Sequence, residues 1–236
     1  MKSEPVLSLI LPCRNQGEYI GTLLPRYMPP LERAGLPFEL IVVPNGCTDD
    51  TVAVVSRLAQ QDERIRMVKL ADGGWGRAVR AGLRLAWGSI LSYTNSARTD
   101  PRLFPAFVER FLRNRDSLVK ACREARQAPL RELGSALYNL EARLCFGLRC
   151  RDVNGTPKIF SRAFYESLSL TSVGDLFDLE LIATASRAGV PVIEMPVHGF
   201  SRHGGKSSTT LSSAWKMYAG ALRLSLQQLG IGRRKP

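Results

Sequence analysis

Histidine is almost absent from this sequence. Two histidines occur in 236 residues, and the five cysteines form no Cys-X-X-Cys pair. Because zinc sites in proteins are built from clustered histidine and cysteine ligands, a zinc centre is not expected. The odd cysteine count and the lack of a secretory signal pattern indicate a reducing compartment, so we expect a cytoplasmic protein.

Long apolar runs are missing as well. The apolar stretch near the N-terminus extends only from Val6 to Leu11, and no run of 18 apolar residues occurs anywhere. A signal core or a membrane span needs a longer run than this. We therefore expect a protein that is soluble, or that rests on a membrane surface without crossing it.

Acidic residues are scarce beside basic ones. The chain has 33 Lys and Arg against 21 Asp and Glu, which gives a net charge of +12. A positive field favours anionic partners such as nucleotides, phospholipid head groups or nucleic acid. The sequence shows neither a recognition helix nor interleaved aromatic and basic residues, so nucleic acid is not expected as a partner.

Strand and helix patterns alternate through the first hundred residues. Strands are predicted at 5–13, 38–45, 64–70 and 89–95, with helices at about 17–33, 49–61 and 75–87. Repeated strand–helix units predict a parallel sheet with helices on both faces. The carboxyl ends of such strands meet at one edge, where open α/β sheets bind ligands. That edge is the candidate site, and it includes residues 12–16, 44–48, 70–74 and 94–99.

The second half is less regular. Helices are predicted at about 101–115, 130–147 and 174–189, strands at 118–122 and 190–200, and a turn entering a strand at 154–162. The sequence has no internal repeat and no low-complexity linker, so a single α/β domain is favoured. The tail from residue 211 has the apolar spacing of an amphipathic helix and ends in a basic segment. This helix either docks on the core or lies on anionic lipid, and the sequence leaves both open.

Several segments, taken in order, carry a resemblance. They are "LILPCRNQGEYIGTLL", "LIVVPNGCTDDT", "GGWGRAVRAGLRLAWGSIL", "DVNGTPKIFSR", "FDLELIATASRAGVPVIEMPV" and "SRHGGKSS". Together they resemble GT-A-type glycosyltransferases of family 2. The last three are similar to the polyprenyl-phosphate branch, which contains dolichyl-phosphate mannosyltransferase. The resemblance covers roughly residues 5–208.

The resemblance implies a fold and its division. The expected fold is the GT-A (Rossmann-like) form of the α/β class, a mostly parallel sheet flanked by helices in a single domain with a C-terminal amphipathic helix. The GT-A domain would span 1–208, with a nucleotide-binding part at about 1–101 and an acceptor part at about 102–208. Residues 209–236 would form the C-terminal helix and basic tail.

The resemblance also implies an activity. Such proteins transfer a sugar from a nucleotide-diphosphate sugar to an acceptor, often a lipid phosphate, with inversion of configuration at the anomeric carbon. For this chain we expect a nucleotide-sugar donor, a polyprenyl-phosphate or other lipid-phosphate acceptor, and an anionic membrane surface or membrane protein as a further partner. The expected location is cytoplasmic, peripheral on the inner face of the membrane. The nucleotide-sugar-binding residues carried over are Pro12, Arg14, Glu18, Asn45, Gly74, Thr94, Asn95 and Ser96, with Asn45 offering an amide that can bond a base edge.

The chain departs from the family where a metal is expected. The family's metal-binding acid pair falls on Thr94 and Ser96, whose neutral hydroxyls are poor ligands for Mg²⁺ or Mn²⁺. A lysine common in the glycine-rich loop is Trp75 here. We therefore predict no firmly bound cofactor, and at most weakly held Mg²⁺ or Mn²⁺. Two alternatives stay open: a metal held through Asp100, and a catalytically silent module that binds nucleotide or lipid.

Basic residues are then the predicted substitutes for the metal. Arg98, Arg202, His203 and Lys206 are candidates to neutralise the leaving diphosphate. Asp152 is predicted to organise the acceptor or to act as a base, with Asp178 and Glu180 as second choices. The predicted catalytic residues are Asp152, Arg202 and Lys206, and the predicted acceptor- and phosphate-binding residues are Arg98, Lys158 and His203.

Overall fold

A computed structural model describes residues 4–124, 129–198, 218–222 and 225, with backbone alone for 129–133. Its strands are β1 Leu7–Cys13, β2 Phe38–Pro44, β3 Ile65–Met67, β4 Ile90–Tyr93, β5 Leu118–Arg123, β6 Lys158–Ser161 and β7 Val192–Val197. Its helices are α1 Gly17–Leu23, α2 Met28–Arg33, α3 Thr51–Gln61, α4 Trp75–Leu85, α5 Phe104–Leu112, α6 Pro129–Phe146, α7 Arg162–Glu166 and α8 Phe177–Arg187.

The seven strands form one sheet in the order β3-β2-β1-β4-β6-β5-β7. Strands β1 to β4 run parallel to one another, and β5 runs parallel to β7. Strand β6 is antiparallel to both of its neighbours, β4 and β5. The predicted single α/β domain with a mostly parallel sheet is therefore confirmed. Because β6 is reversed, its first residue lies at the edge where the other strands end.

Helices cover both faces of the sheet. On β1, Leu7, Leu9 and Leu11 pack into the apolar cluster under α1, α2 and α5, whereas Ile10 packs into the cluster under α4 and α8. This follows from the two-residue alternation of side chains along a strand, and it explains why β1 is apolar throughout. Helix α4 lies very close to β1, since a Cβ on Gly82 would stand 2.4 Å from Cγ2 of Ile10.

Two predicted elements differ from the structure. The helix predicted at 17–33 is divided into α1, a 3-10 turn at Leu24–Tyr27, and α2. Pro25, Pro29 and Pro30 lack the N–H that a continuous helix needs, so each fits only in the first turn of a new segment. The strand predicted at 64–70 is regular only over Ile65–Met67.

The described part of the C-terminal tail is helical at 218–222 and packs against α6. The Tyr218 hydroxyl donates to the carbonyl oxygen of Gly134 at 2.6 Å, and Ser225 Oγ donates to the carbonyl of Cys145 at 3.1 Å. Ala221 is fully buried. No helix within the described ranges combines the length and apolar character that a membrane crossing requires. The division at residue 208 stays a prediction.

Candidate functional site

The loops that follow β1 and β2 are joined by side-chain hydrogen bonds. The backbone N–H of Thr48 donates to Oδ1 of Asn15 at 2.9 Å, and the N–H of Gly17 donates to Oδ2 of Asp49 at 2.9 Å. Asn15 has a φ of 50°, a left-handed conformation that asparagine tolerates better than most residues. The two loops therefore form one rigid rim at the carboxyl edge of the sheet.

Asn45 links this rim to the glycine-rich turn before α4. It is buried, and its Nδ2 donates to the carbonyls of Cys13 and Val43 at 2.9 and 3.1 Å. Its Oδ1 accepts from the N–H of Gly74 at 3.0 Å. The amide thus engages backbone on both of its ends, so Asn45 positions the glycine-rich turn. Its predicted contact with a base edge stays a prediction.

The other predicted donor-binding residues meet at the same edge. Arg14 and Glu18 are exposed, and a Cβ on Gly73 would lie 2.9 Å from Nη1 of Arg14. A Cβ on Gly46 would lie 2.6 Å from the nitrogen of Gly73, so the three loops approach closely. Arg14 therefore places a guanidinium beside the half-buried backbone of the glycine-rich turn, an arrangement that suits an anion.

The two hydroxyls at the tip of β4 form hydrogen bonds within the protein. Thr94 and Ser96 are fully buried. The Thr94 hydroxyl donates to Oγ1 of Thr99 at 2.6 Å. The Ser96 hydroxyl lies 2.9 Å from both the carbonyl of Pro12 and Oε1 of Gln16, which share its proton. The Ser96 hydroxyl therefore holds the end of β1 and its loop against the segment after β4, whereas the Thr94 hydroxyl bonds within that segment.

Asn95 and Arg98 shape the turn that follows. Oδ1 of Asn95 accepts from the N–H of Ala97 at 3.0 Å, and its carbonyl accepts from the N–H of Arg98 at 3.1 Å. Arg98 is half-buried in this turn. Sugar or phosphate binding by either residue stays a prediction.

The residues at the β4 tip do not fit a divalent metal. The first acid after β4 in the chain is Asp100, which accepts from the N–H of Arg102 at 2.9 Å and from its Nε at 2.8 Å. Burial raises the pKa of Asp100, but the bonds from Arg102 outweigh burial and hold that pKa below its ordinary value. In the described ranges no three His, Cys, Asp or Glu side chains are grouped to hold a metal ion. We assign no chemical step to a metal here.

Lys158, the first residue of β6, lies at this edge beside the β4 tip. Its side chain is fully buried and pairs with the carboxylate of Asp178. Burial lowers the pKa of Lys158, and the Asp178 charge opposes that shift. Glu180, two residues further along α8, accepts from the N–H groups of Thr171 and Ser172 at 2.8 and 2.7 Å. Glu180 therefore anchors the loop before α8, and both acids have scaffold contacts.

A cavity of about 510 Å³ opens between the ends of β5 and β7 and helix α6. It is lined by Cys122, Arg123, Glu124, Ser135, Ala136, Asn139, Arg143, Arg151, Asp152, Glu194 and Pro196. Because β5 and β7 run in the same direction as β4, this cavity lies at the same sheet edge as the rim.

The two most buried acids in the cavity are neutralised by basic neighbours. Arg123 donates two hydrogen bonds to the carboxylate of Asp152, from Nε to Oδ2 at 2.6 Å and from Nη2 to Oδ1 at 2.7 Å. Burial raises the pKa of Asp152, but the Arg123 guanidinium outweighs burial and holds that pKa far below its usual range. The buried Lys120 donates to Oε1 of Glu194 at 2.9 Å. A carboxyl with so low a pKa is a weak base, so Asp152 is better suited to orienting Arg123 than to taking a proton.

The cavity lining balances three arginines, Arg123, Arg143 and Arg151, against three acids, Glu124, Asp152 and Glu194. Within the part of the chain that the structure describes, neither Arg143 nor Arg151 has an ion-pair partner. Their guanidinium groups, the Arg123 guanidinium and the side chains of Ser135 and Asn139 offer hydrogen-bond donors around one space. Such a set fits a phosphate group. Arg202, His203 and Lys206 lie outside the described residues.

Sequence reasoning missed the cavity arginines, Gln16 and the role of Trp75. Arg123 had a usable signal, because it directly follows the strand predicted at 118–122, as the rim loops follow theirs. Arg143 lies on a helix and Arg151 in a loop, and no spacing in the sequence predicts that they line one cavity.

Comparison with known proteins gives the family. A model of glycosyl transferase family 2 matches residues 8–168. The chain belongs to glycosyl transferase family 2. It is 33% identical over 207 residues to the glycosyltransferase AglD of Haloferax volcanii, a match covering 81% of this chain and 32% of that protein.

A second curated relative and a solved structure resemble the chain. It is 26% identical over 160 residues to an undecaprenyl-phosphate 4-deoxy-4-formamido-L-arabinose transferase of Pectobacterium carotovorum, covering 66% of this chain and 49% of that protein. The chain thus spans a third to a half of these curated relatives. The fold is similar to glucosyl-3-phosphoglycerate synthase of Mycobacterium tuberculosis, solved with Mn²⁺, UDP and glucosyl-3-phosphoglycerate, with a TM-score of 0.73, 22% identity, and 98% and 82% of the two chains covered. The predicted GT-A fold is confirmed.

Proposed function

We propose that the protein transfers a sugar, with inversion, from a nucleotide-diphosphate sugar to a polyprenyl phosphate. The observation that carries the proposal is a pair of arginines in the sheet-edge cavity, Arg143 and Arg151, which lack ion-pair partners in the described chain. A phosphate in this cavity would lie at the same edge as a nucleotide on the rim. The undecaprenyl-phosphate transferase among the relatives supports this acceptor class.

The acceptor chemistry fits the groups in the cavity. A phosphate oxygen is already anionic, so it attacks the anomeric carbon without giving a proton to a strong base. The new bond joins that oxygen to the anomeric carbon as the bond from the anomeric carbon to the diphosphate oxygen breaks. The low pKa of Asp152 is consistent with this reaction, since no proton acceptor is required.

The leaving diphosphate needs positive charge. Arg14 lies at the glycine-rich turn, and the predicted basic residues Arg98, Arg202 and Lys206 would add to it. We propose that these cations, together with backbone N–H groups, replace a metal held at the β4 tip. The structural relative was solved with Mn²⁺. Weakly held Mg²⁺ or Mn²⁺ therefore stays a separate outcome of the assay below.

An apolar stripe supports a lipid acceptor. Leu137, Leu140 and Leu144 on α6 are 51%, 45% and 76% exposed. Their spacing of three and seven residues places them on one face of the helix, and α6 also supplies Arg143 to the cavity. We propose that this face rests on the cytoplasmic surface of a membrane, where the polyprenyl chain would lie beside its phosphate.

A transfer assay tests the proposal. Radiolabelled UDP-, GDP- and dTDP-sugars are each incubated with undecaprenyl phosphate or with undecaprenol, with and without EDTA. We expect one donor to give product with the phosphate alone, at a similar rate in EDTA. Loss of activity in EDTA would refute the metal-independent form. Nucleoside diphosphate binding without transfer from any donor would instead indicate a catalytically silent module.

A further inference from the structure

The carboxylate of Asp178 joins three elements of the site. Its Oδ2 accepts from Nε1 of Trp75 at 2.6 Å, and its Oδ1 accepts from the hydroxyl of Tyr93 at 2.6 Å. The same Oδ1 accepts from Nζ of Lys158. Trp75 begins α4, Tyr93 ends β4 and Lys158 begins β6. Asp178 therefore ties the glycine-rich turn to the strands that lead into the acceptor half.

Ring packing makes this junction rigid. The rings of Trp75 and Tyr93 meet edge to face, with centroids 6.1 Å apart, and Nζ of Lys158 stands 5.4 Å from the Tyr93 ring centroid. Tyr93 and Lys158 are fully buried, and Asp178 is 3% exposed. Trp75 alone is half-buried. Of these four residues, Trp75 is thus the one with the most exposed surface.

The glycine-rich turn is held from both sides. On one side the N–H of Gly74 donates to Asn45, and on the other the indole of Trp75 donates to Asp178. Gly74 has a φ of 154°, which favours glycine. A Cβ on Gly76 would lie 2.5 Å from the carbonyl oxygen of Gly174, so α4 also has little room to shift toward α8. The position of the turn therefore depends on these two side-chain bonds.

We propose that Trp75 is a positioning residue for donor binding, acting through Asp178. The indole N–H fixes the glycine-rich turn where its backbone and the Arg14 guanidinium face the diphosphate. This inference rests on the proposed function, because it takes the donor to be a nucleotide-diphosphate sugar. Where related loops commonly carry a lysine, Trp75 thus donates a hydrogen bond to Asp178 and brings no positive charge to the nucleotide sugar.

Binding of UDP, GDP and dTDP, measured by calorimetry, tests this role apart from turnover. The variant Trp75→Phe keeps an aromatic ring and loses the N–H. We expect this variant to bind the nucleoside diphosphate about tenfold more weakly than the wild type does. That is the lower end of the loss expected for one hydrogen bond to a charged group. The matched control is Trp87→Phe, since Trp87 is 66% exposed in the loop before β4. We expect that control to stay within about twofold of wild type.

Other outcomes separate the possibilities. In an Asp178→Asn background, the effect of Trp75→Phe should largely disappear if the indole acts through that carboxylate. Equal affinity of wild type and Trp75→Phe, with only a lower Tm, would show a merely structural role and overturn the inference. If Asp178→Asn does not fold, the comparison of Trp75→Phe with Trp87→Phe still shows whether the indole N–H of Trp75 contributes to diphosphate affinity. Absence of diphosphate binding by the wild type would overturn the proposed function itself.

Discussion

Restoring an acid at the β4 tip should not restore a metal site. In Ser96→Asp the hydroxyl proton shared by the Pro12 carbonyl and Oε1 of Gln16 is lost, and a carboxylate faces those two acceptors, each 2.9 Å from the original oxygen. A lost neutral bond costs about 0.5–1.5 kcal/mol, and a buried unsatisfied acceptor about 1–3 kcal/mol. We therefore expect Ser96→Asp to lose at least roughly 2–4 kcal/mol, and Ser96→Ala to lose less, because only the aspartate also buries a charge.

Thermal unfolding and transfer assays measure both consequences. For a domain of this size 1 kcal/mol corresponds to about 2–4 °C in Tm, so Ser96→Asp should melt at least roughly 4–16 °C lower. The matched control is Ser169→Asp, because Ser169 is an exposed loop residue. It should melt close to wild type. A Ser96→Asp protein with wild-type Tm and transfer strictly dependent on Mg²⁺ or Mn²⁺ would refute the reasoning.

Three further predictions follow from the cavity and from α6. Arg151→Ala should raise the KM for undecaprenyl phosphate about tenfold with an unchanged donor KM, whereas Arg149→Ala should not, and an equal change in both variants would contradict the site. For Asp152→Asn, denaturant unfolding should show a stability loss at about pH 7 that shrinks below about pH 4, because the stabilisation from a lowered folded-state pKa is complete above the unfolded pKa and is lost as the pH falls toward the folded pKa; a constant loss would contradict it. Leu144→Ser should weaken sedimentation with anionic vesicles by about tenfold, and Leu85→Ser should not; equal sedimentation would argue against the α6 face.

The parallel half of the sheet was predictable because its signals are local. Apolar runs such as 38–45 mark strands buried on both faces, and each is followed by turn residues. The helix predicted at about 17–33 is helical over that range, but its interruption by a 3-10 turn was not predicted, because proline placement decides where a helix is divided. The reversal of β6 could not be read from its sequence, since four residues carry no directional signal and the pairing with β4 and β5 is set by tertiary contacts.

The site was only partly predictable for a similar reason. The segments that form the rim lie close to their strands, so their meeting at one edge follows from topology alone. The partners of Asp152 and Lys158 come from 29 and 20 residues away, and no spacing rule connects them. Trp75 was recognised as a departure, yet its contact with Asp178, 103 residues distant, depends on the packing of α4 against α8.

The bond between Lys158 and Asp178 also has a consequence for how the sheet assembles. Strand β6 has only four residues. Backbone hydrogen bonds alone would allow it to pair with β4 and β5 in more than one register. A slip by two residues keeps the apolar side chains on their faces but moves Lys158 about 7 Å along the strand. That shift would leave an ammonium and a carboxylate buried apart, at a cost of several kcal/mol. The charge pair thus selects one alignment of β6, a discrimination that apolar residues alone do not provide.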